Sequence, residues 1–152
     1  AGRMPNPFFG SDLLWPDDLG FDGVALQGEV TLMPGAYAFG TVGAFPLQEF
    51  SAGRDDKWLY ALQVGADWAL SDHTTLRLGL GVYEFRNVEG VRETEPAPTG
   101  ALAGTTDYFD SQYPAALRLK GNTLIALNDP TSTAAPVWGL ASKYKPVNLS
   151  AQ

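Results

Sequence analysis

Residues 57–71 read KWLYALQVGADWALS, and their alternation decides the fold. Trp58, Tyr60, Leu62, Val64, Ala66, Trp68 and Leu70 share one parity. Lys57, Gln63, Gly65, Asp67 and Ser71 share the other with Leu59, Ala61 and Ala69. Alternation of period two marks a strand with one apolar face. It runs well past the usual ~5–6 residues of a strand in a soluble protein.

The same period extends in both directions. Upstream, Val24, Leu26, Val30 and Leu32 oppose Ala25, Gln27, Glu29 and Thr31. Pro34-Gly35 makes a tight turn, and Tyr37, Phe39, Thr41, Gly43 and Phe45 return on one face. Ala36, Ala38, Gly40, Val42 and Ala44 occupy the other. Downstream, the turn at residues 71–74 leads to Leu76, Leu78, Leu80 and Val82, opposite Arg77, Gly79 and Gly81. A fifth strand is expected with Leu117, Leu119, Ile125 and Leu127 opposite Arg118, Lys120 and Asn122. A sixth is expected from about 137 to 144, carrying Trp138, Leu140 and Tyr144. Residues 1–23 read as an irregular acidic segment broken by Pro5, Pro7, Pro16, Gly10, Gly20 and Gly23. The fold class is therefore all-β, an antiparallel up-and-down meander of about six strands, with residues 24–147 carrying the strands.

Three features point to a wall in a membrane. The connections alternate between short (34–35, 71–74, near 129–135) and long (46–56, 87–114), as in outer-membrane barrels. The strands reach the roughly 9–11 residues that a tilted membrane strand needs. Trp58 and Trp68 lie ten positions apart, a span of roughly 25 Å along the normal of a tilted strand, which matches the apolar band between aromatic girdles. Tyr60 belongs to the same aromatic face. Tyr37 with Phe45, and Trp138 with Tyr144, are expected to repeat that girdle.

Glu29, Gln63, Asp67, Arg77, Arg118, Lys120 and Lys143 are then the candidate pore-lining residues. Charges on that side would be expensive in a dry core and are tolerable in a hydrated lumen. Rings of charge set pore selectivity. The basic residues suggest a weak preference for anions or acidic solutes, but Glu29, Asp67 and Glu84 offset them, and generic lumen polarity is the favoured reading. Six strands fall short of the usual minimum of ~8 for a closed barrel. Open edges are not tolerated in lipid. Residues 1–152 are therefore expected to be a partial barrel domain of a longer protein.

Composition narrows the function classes. The 152 residues hold no cysteine, so thiolate metal sites, disulfides and cysteine nucleophiles are excluded. The net charge of -7 opposes a nucleic-acid partner. No run of about 18 apolar residues is present for a membrane helix. His73, the single histidine, sits in a turn beside Ser71 and Asp72, which does not make a converging triad. Asp12, Asp17, Asp18 and Asp22 lack the alternating ligand spacing of a calcium loop. Gly79-Leu80-Gly81 lacks the third glycine of a dinucleotide fingerprint and reads as small lumen-lining residues. Asn148-Leu149-Ser150 matches a glycosylation sequon, which is meaningless if the source is bacterial. A further reading of residues 1–23 folds them into the pore, with Phe8, Phe9 and Trp15 as anchors.

The run Gly2-Arg3-Met4-Pro5-Asn6-Pro7-Phe8-Phe9, with Ser11-Asp12-Leu13-Leu14-Trp15 and Phe21-Asp22-Gly23-Val24-Ala25, resembles the putative-porin family of Gram-negative bacteria. Gly121-Asn122-Thr123-Leu124 and Gly139-Leu140-Ala141-Ser142 resemble strands of the same family. The resemblance implies an outer-membrane barrel of about sixteen strands, with no catalytic or binding residues to carry over. The expected function is a porin-like channel for passive diffusion of small polar solutes, without enzyme activity or cofactor. Its expected partners are outer-membrane lipids and the solutes, with homo-oligomers left open. The alternatives are a soluble β-barrel or β-sandwich binding module and an outer-membrane barrel enzyme with a triad at one rim.

Overall fold

In a computed structural model, the described residues are 1–10, 14–16, 18–49, 56–92, 111–118, 121–128 and 135–152. They form an all-β meander. Four long strands dominate: β2 (Gly20–Met33), β3 (Ala36–Gln48), β4 (Lys57–Ser71) and β5 (Thr74–Arg86). With β1 (Gly2–Pro5) and β8 (Val147–Ala151) they make a six-stranded sheet in the order β1-β2-β3-β4-β5-β8. β6 (Leu124–Ala126) and β7 (Trp138–Leu140) form a separate antiparallel pair.

Two of the three short turns form where they were expected, and residues 129–134 of the third lie outside the described residues. Gly35 has φ 80°, a conformation open to glycine that completes the Pro34-Gly35 reversal. Asp72-His73 joins β4 to β5, and the His73 N–H donates to Ser71 Oγ at 3.4 Å.

The main sheet has six strands, as expected of the meander, but two of its members differ. Arg118 follows a single 3-10 turn at Ala115–Leu117 and donates its N–H to Ala115 O at 3.3 Å. Its carbonyl partner lies three residues back, so the chain is coiled there and not extended. Leu119 and Lys120 lie outside the described residues. The expected fifth and sixth strands shrink to three residues each, in a stretch of chain between β5 and β8. Gly121 has φ 85°, and a two-residue alternation of Leu, Arg and Lys alone did not detect this break. Residues 2–5 and 20–23, expected to be irregular, instead pair in register, Gly2 with Gly23 and Pro5 with Gly20. Pro5 is tolerated because β1 is a short edge strand.

Chain contacts divide the molecule into two units. One comprises residues 1–47, 58–85 and 145–152; the other comprises 48–57 and 86–144. The second unit has its own centre in Leu127, which is fully buried between Gly90 and Gly139. Gly90 N–H donates to Leu140 O and Tyr113 N–H to Trp138 O, which fastens β7 on a second side. Tyr144 Oη donates to Asn122 Oδ1 at 3.1 Å, and Asn122 Nδ2 to Tyr113 Oη at 2.9 Å.

The first unit holds the long strands, and their two faces differ sharply. One face is apolar and bare. Leu26 pairs with Val42, Leu80 with Leu149 and Val82 with Val147, and all six are exposed. Adjacent residues on β4 show the contrast: Leu62 is 53% exposed and Gln63 is 0% exposed. The other face carries the core, formed by Phe8, Phe21, Phe45, Leu59, Ala61 and Tyr83.

Glycines on the packed face make room for rings. A methyl group at Gly43 would meet Phe45 ring atoms at 2.5 Å, and one at Gly65 would meet Phe39 Cζ at 2.1 Å. At Gly65 the backbone oxygen of Leu78 also stands 2.4 Å away. Gly65→Ala is therefore expected to destabilise the fold by roughly 1–3 kcal/mol, read as a lower denaturant midpoint in lipid vesicles. Gly28→Ala, where no atom lies within 4 Å of the added carbon, serves as the contrast.

Candidate functional site

The site begins with a local sequence device. Asn6 stands between Pro5 and Pro7, and its Oδ1 accepts the Phe8 N–H at 2.9 Å. This side-chain turn bends the chain out of β1. Residues 7–10 then run across the packed face of the long strands.

Polar side chains from three neighbouring strands hold that segment. Gln27 Nε2 on β2 donates to the Pro7 carbonyl at 2.8 Å, and Thr41 Oγ1 on β3 donates to the same oxygen at 3.4 Å. Gln63 on β4 works in both directions. Its Oε1 accepts the Phe9 N–H at 2.7 Å, and its Nε2 donates to the Phe9 carbonyl at 2.5 Å. A buried glutamine amide thus copies the two-bond exchange between paired strands. Gln63 is residue seven of the fifteen in β4, so the clasp sits at mid-strand.

Aromatic contacts complete the docking. The Phe8 ring meets Phe21, Phe45 and Tyr83 edge to face, with centroids 5.8, 6.0 and 5.4 Å apart. Trp15 brings the chain back against Phe21 and Tyr83, each at 5.3 Å. Phe9 covers Gly79 on β5 and meets Phe39 at 6.2 Å. The Arg77 guanidinium lies 4.8 Å from the Phe9 centroid and 4.5 Å from that of Phe39. Its Nε stands 3.3 Å from Asp67 Oδ1. Cation–π contact and the ion pair together fix Arg77 in place.

The sheet therefore brings Glu29, Gln63, Asp67 and Arg77 to one face. Arg118 and Lys143 are not on that sheet. Lys143 lies after β7, largely exposed, with Glu89 at 4.0 Å. The aromatic candidates also divide. Trp58 and Tyr60 stack on β4 at 5.9 Å and 15°, on the parity of Leu62. Trp68 shares that parity and is half-buried. Phe45 is a correction: it is 1% exposed and sits on the packed face. Tyr37 is another, because it pairs with Thr31, on the parity of Gln27 and Glu29. Trp138 lies in β7 of the small sheet, which has no partner among the long strands.

The reason for the β3 error is physical. Val24, Leu26 and Val30 register with Ala44, Val42 and Ala38. The apolar bare face of β3 is therefore built from small residues and Val42, while its large rings turn inward to meet Phe8. Sequence reasoning also missed Thr41 as a donor and Tyr83 as a core ring. One signal was available. Gly43-x-Phe45 and Gly81-x-Tyr83 each place a glycine two residues before a ring, on the same face.

No helix among the described residues is long and apolar enough to cross a membrane. Among the same residues, no group of three metal-ligating side chains converges. Asp12 and Asp17 lie outside the described residues. A family model described as "putative porin" matches residues 1–152. No curated protein and no solved structure matches the chain.

Proposed function

The chain belongs to the putative-porin family over its whole length, and from that premise we propose that it forms part of the wall of a diffusion channel in a bacterial outer membrane. One observation carries the reading. Long strands present an unbroken apolar face to the outside, with Leu26, Val30, Leu62, Val64, Leu80 and Leu149 at least 45% exposed. So large an exposed apolar area marks a surface that another apolar phase covers. In the proposed arrangement lipid covers it, and Trp58 with Trp68 mark the two rims. The remaining strands of one barrel domain close the edges. A soluble binding module would instead need to hide this face from water.

Solutes pass on the opposite side. There the lining is mixed, with Gln27, Glu29, Asp67 and Arg77 available to a hydrated path. The docked residues 6–10 narrow that path at mid-height. Passage needs no covalent step, and width and charge act as the filter.

Two measurements test this. The full-length gene product, reconstituted in planar bilayers, is expected to give stepwise ohmic currents; a preparation that inserts and never conducts would sink the channel reading. In the same protein, a cysteine at position 67 is expected to react with a small charged thiol reagent. Cysteines at 62 and 64 are expected to be shielded by lipid. The reverse pattern would overturn the assignment of faces.

A further inference from the structure

A cavity of about 330 Å³ lies against the docked segment, and Pro7, Phe9, Gln27, Glu29, Phe39 and Arg77 are among its lining residues. Its charge is unbalanced. Arg77 and Glu29 are the two formal charges of the lining. Arg77 is compensated by Asp67, 3.3 Å away, and its guanidinium faces two rings. Glu29 is exposed and has no ion pair or hydrogen bond among the described residues.

One N–H of each lining glutamine and the Thr41 hydroxyl are committed to the docked segment. Gln27 and Thr41 donate to the Pro7 carbonyl, and Gln63 donates to that of Phe9. Among acceptors, the cavity still offers a visitor the Glu29 carboxylate and the oxygen of the Gln27 amide, two positions apart on the same strand face. A carboxylate that no cation compensates and an amide oxygen beside it suit a cation that brings its own N–H groups or sheds part of its water. They repel an anion, which would find the guanidinium already paired.

We propose that this cavity is a cation-selecting subsite on the solute path, with Glu29 as its specificity-determining residue and small ammonium-bearing solutes as its ligand class. The proposal rests on the channel reading above. It replaces the weak anion preference suggested by the basic residues of the sequence. Of those, Arg118 and Lys143 are off the sheet and Arg77 is neutralised.

The test is the reversal potential of the full-length protein in a planar bilayer under a potassium chloride gradient, repeated with methylammonium chloride. The wild type is expected to pass both cations ahead of chloride. Glu29→Gln is expected to lower that permeability ratio by roughly twofold to fivefold at low salt, the scale of one screened charge near the path. Glu29→Asp should keep the ratio, and Asp72→Asn, in the exposed turn, should not change it. Conducting Glu29→Gln channels with the wild-type ratio would overturn the subsite and leave the channel standing. An equal shift from Asp72→Asn would also overturn it, since the effect would then be one of net charge. A wild-type protein that never conducts would remove the channel reading itself.

Discussion

Gln63→Leu is expected to release the N-terminal segment from the strand face. Leucine is close in size and fills the same space, so the change removes hydrogen bonds more than volume. The Phe9 N–H and C=O would then face an apolar side chain in a partly buried place. Each unpaired group costs about 1–3 kcal/mol, so the docked form should lose roughly 2–6 kcal/mol relative to the released one. The readout is limited chymotrypsin digestion of the full protein in detergent. Cleavage after Phe8 or Phe9 should be slow in the wild type and fast in the variant. In bilayers the same variant should conduct more per channel, because the proposed constriction has left the path. Unchanged digestion would show that Gln27, Thr41 and the rings hold the segment without the glutamine.

Phe8→Ala is expected to have the larger effect on stability. Its ring touches Phe21, Phe45 and Tyr83 and is 6% exposed. Truncation of a buried phenylalanine typically costs about 3–5 kcal/mol, because the transfer energy is lost and a cavity remains. The edge-to-face pairs add to this. The measurement is the denaturant midpoint in lipid vesicles, compared with that of Leu62→Ala. Leu62 lies on the bare face, so its truncation should cost little inside the protein. Equal losses at the two positions would mean that the core is not where the rings converge.

The two variants differ because they break different layers of one device. The first breaks polar recognition of a backbone by strand side chains. The second breaks the aromatic packing that gives the segment a reason to leave solvent. Three prolines and glycines near it, Pro5, Pro7 and Gly10, deny residues 6–10 a strand of their own. The segment therefore depends on side-chain partners for its backbone groups.

Much of this was legible in the residues. The alternation of Trp58 to Leu70, the Pro34-Gly35 turn and the polar parity of Gln63, Asp67 and Arg77 are local patterns, and a period of two allows only two faces. Phe8, Phe9 and Trp15 could be read as anchors because an irregular segment rich in rings must bury them. Phe45 and Tyr37 were misassigned because both parities of β3 are apolar. Hydrophobicity cannot rank faces when one holds rings and the other holds alanines. Arg118 was misassigned because a few alternating residues before Gly121 imitate a strand, and Lys143 because the strand expected to reach residue 144 ends at Leu140.

The sequence by itself determined that the chain is all-β, that β2, β4 and β5 each have one apolar face, and where the short turns fall. Those properties follow from spacing along the chain. Only the tertiary structure decided that β8 pairs with β5, that β3 turns its rings inward, and that Gln63 clasps Phe9 from 54 positions away. Strand partners and side-chain clasps depend on which backbone groups remain unpaired after the local elements form. That is a property of the assembled sheet, and no single stretch of sequence contains it.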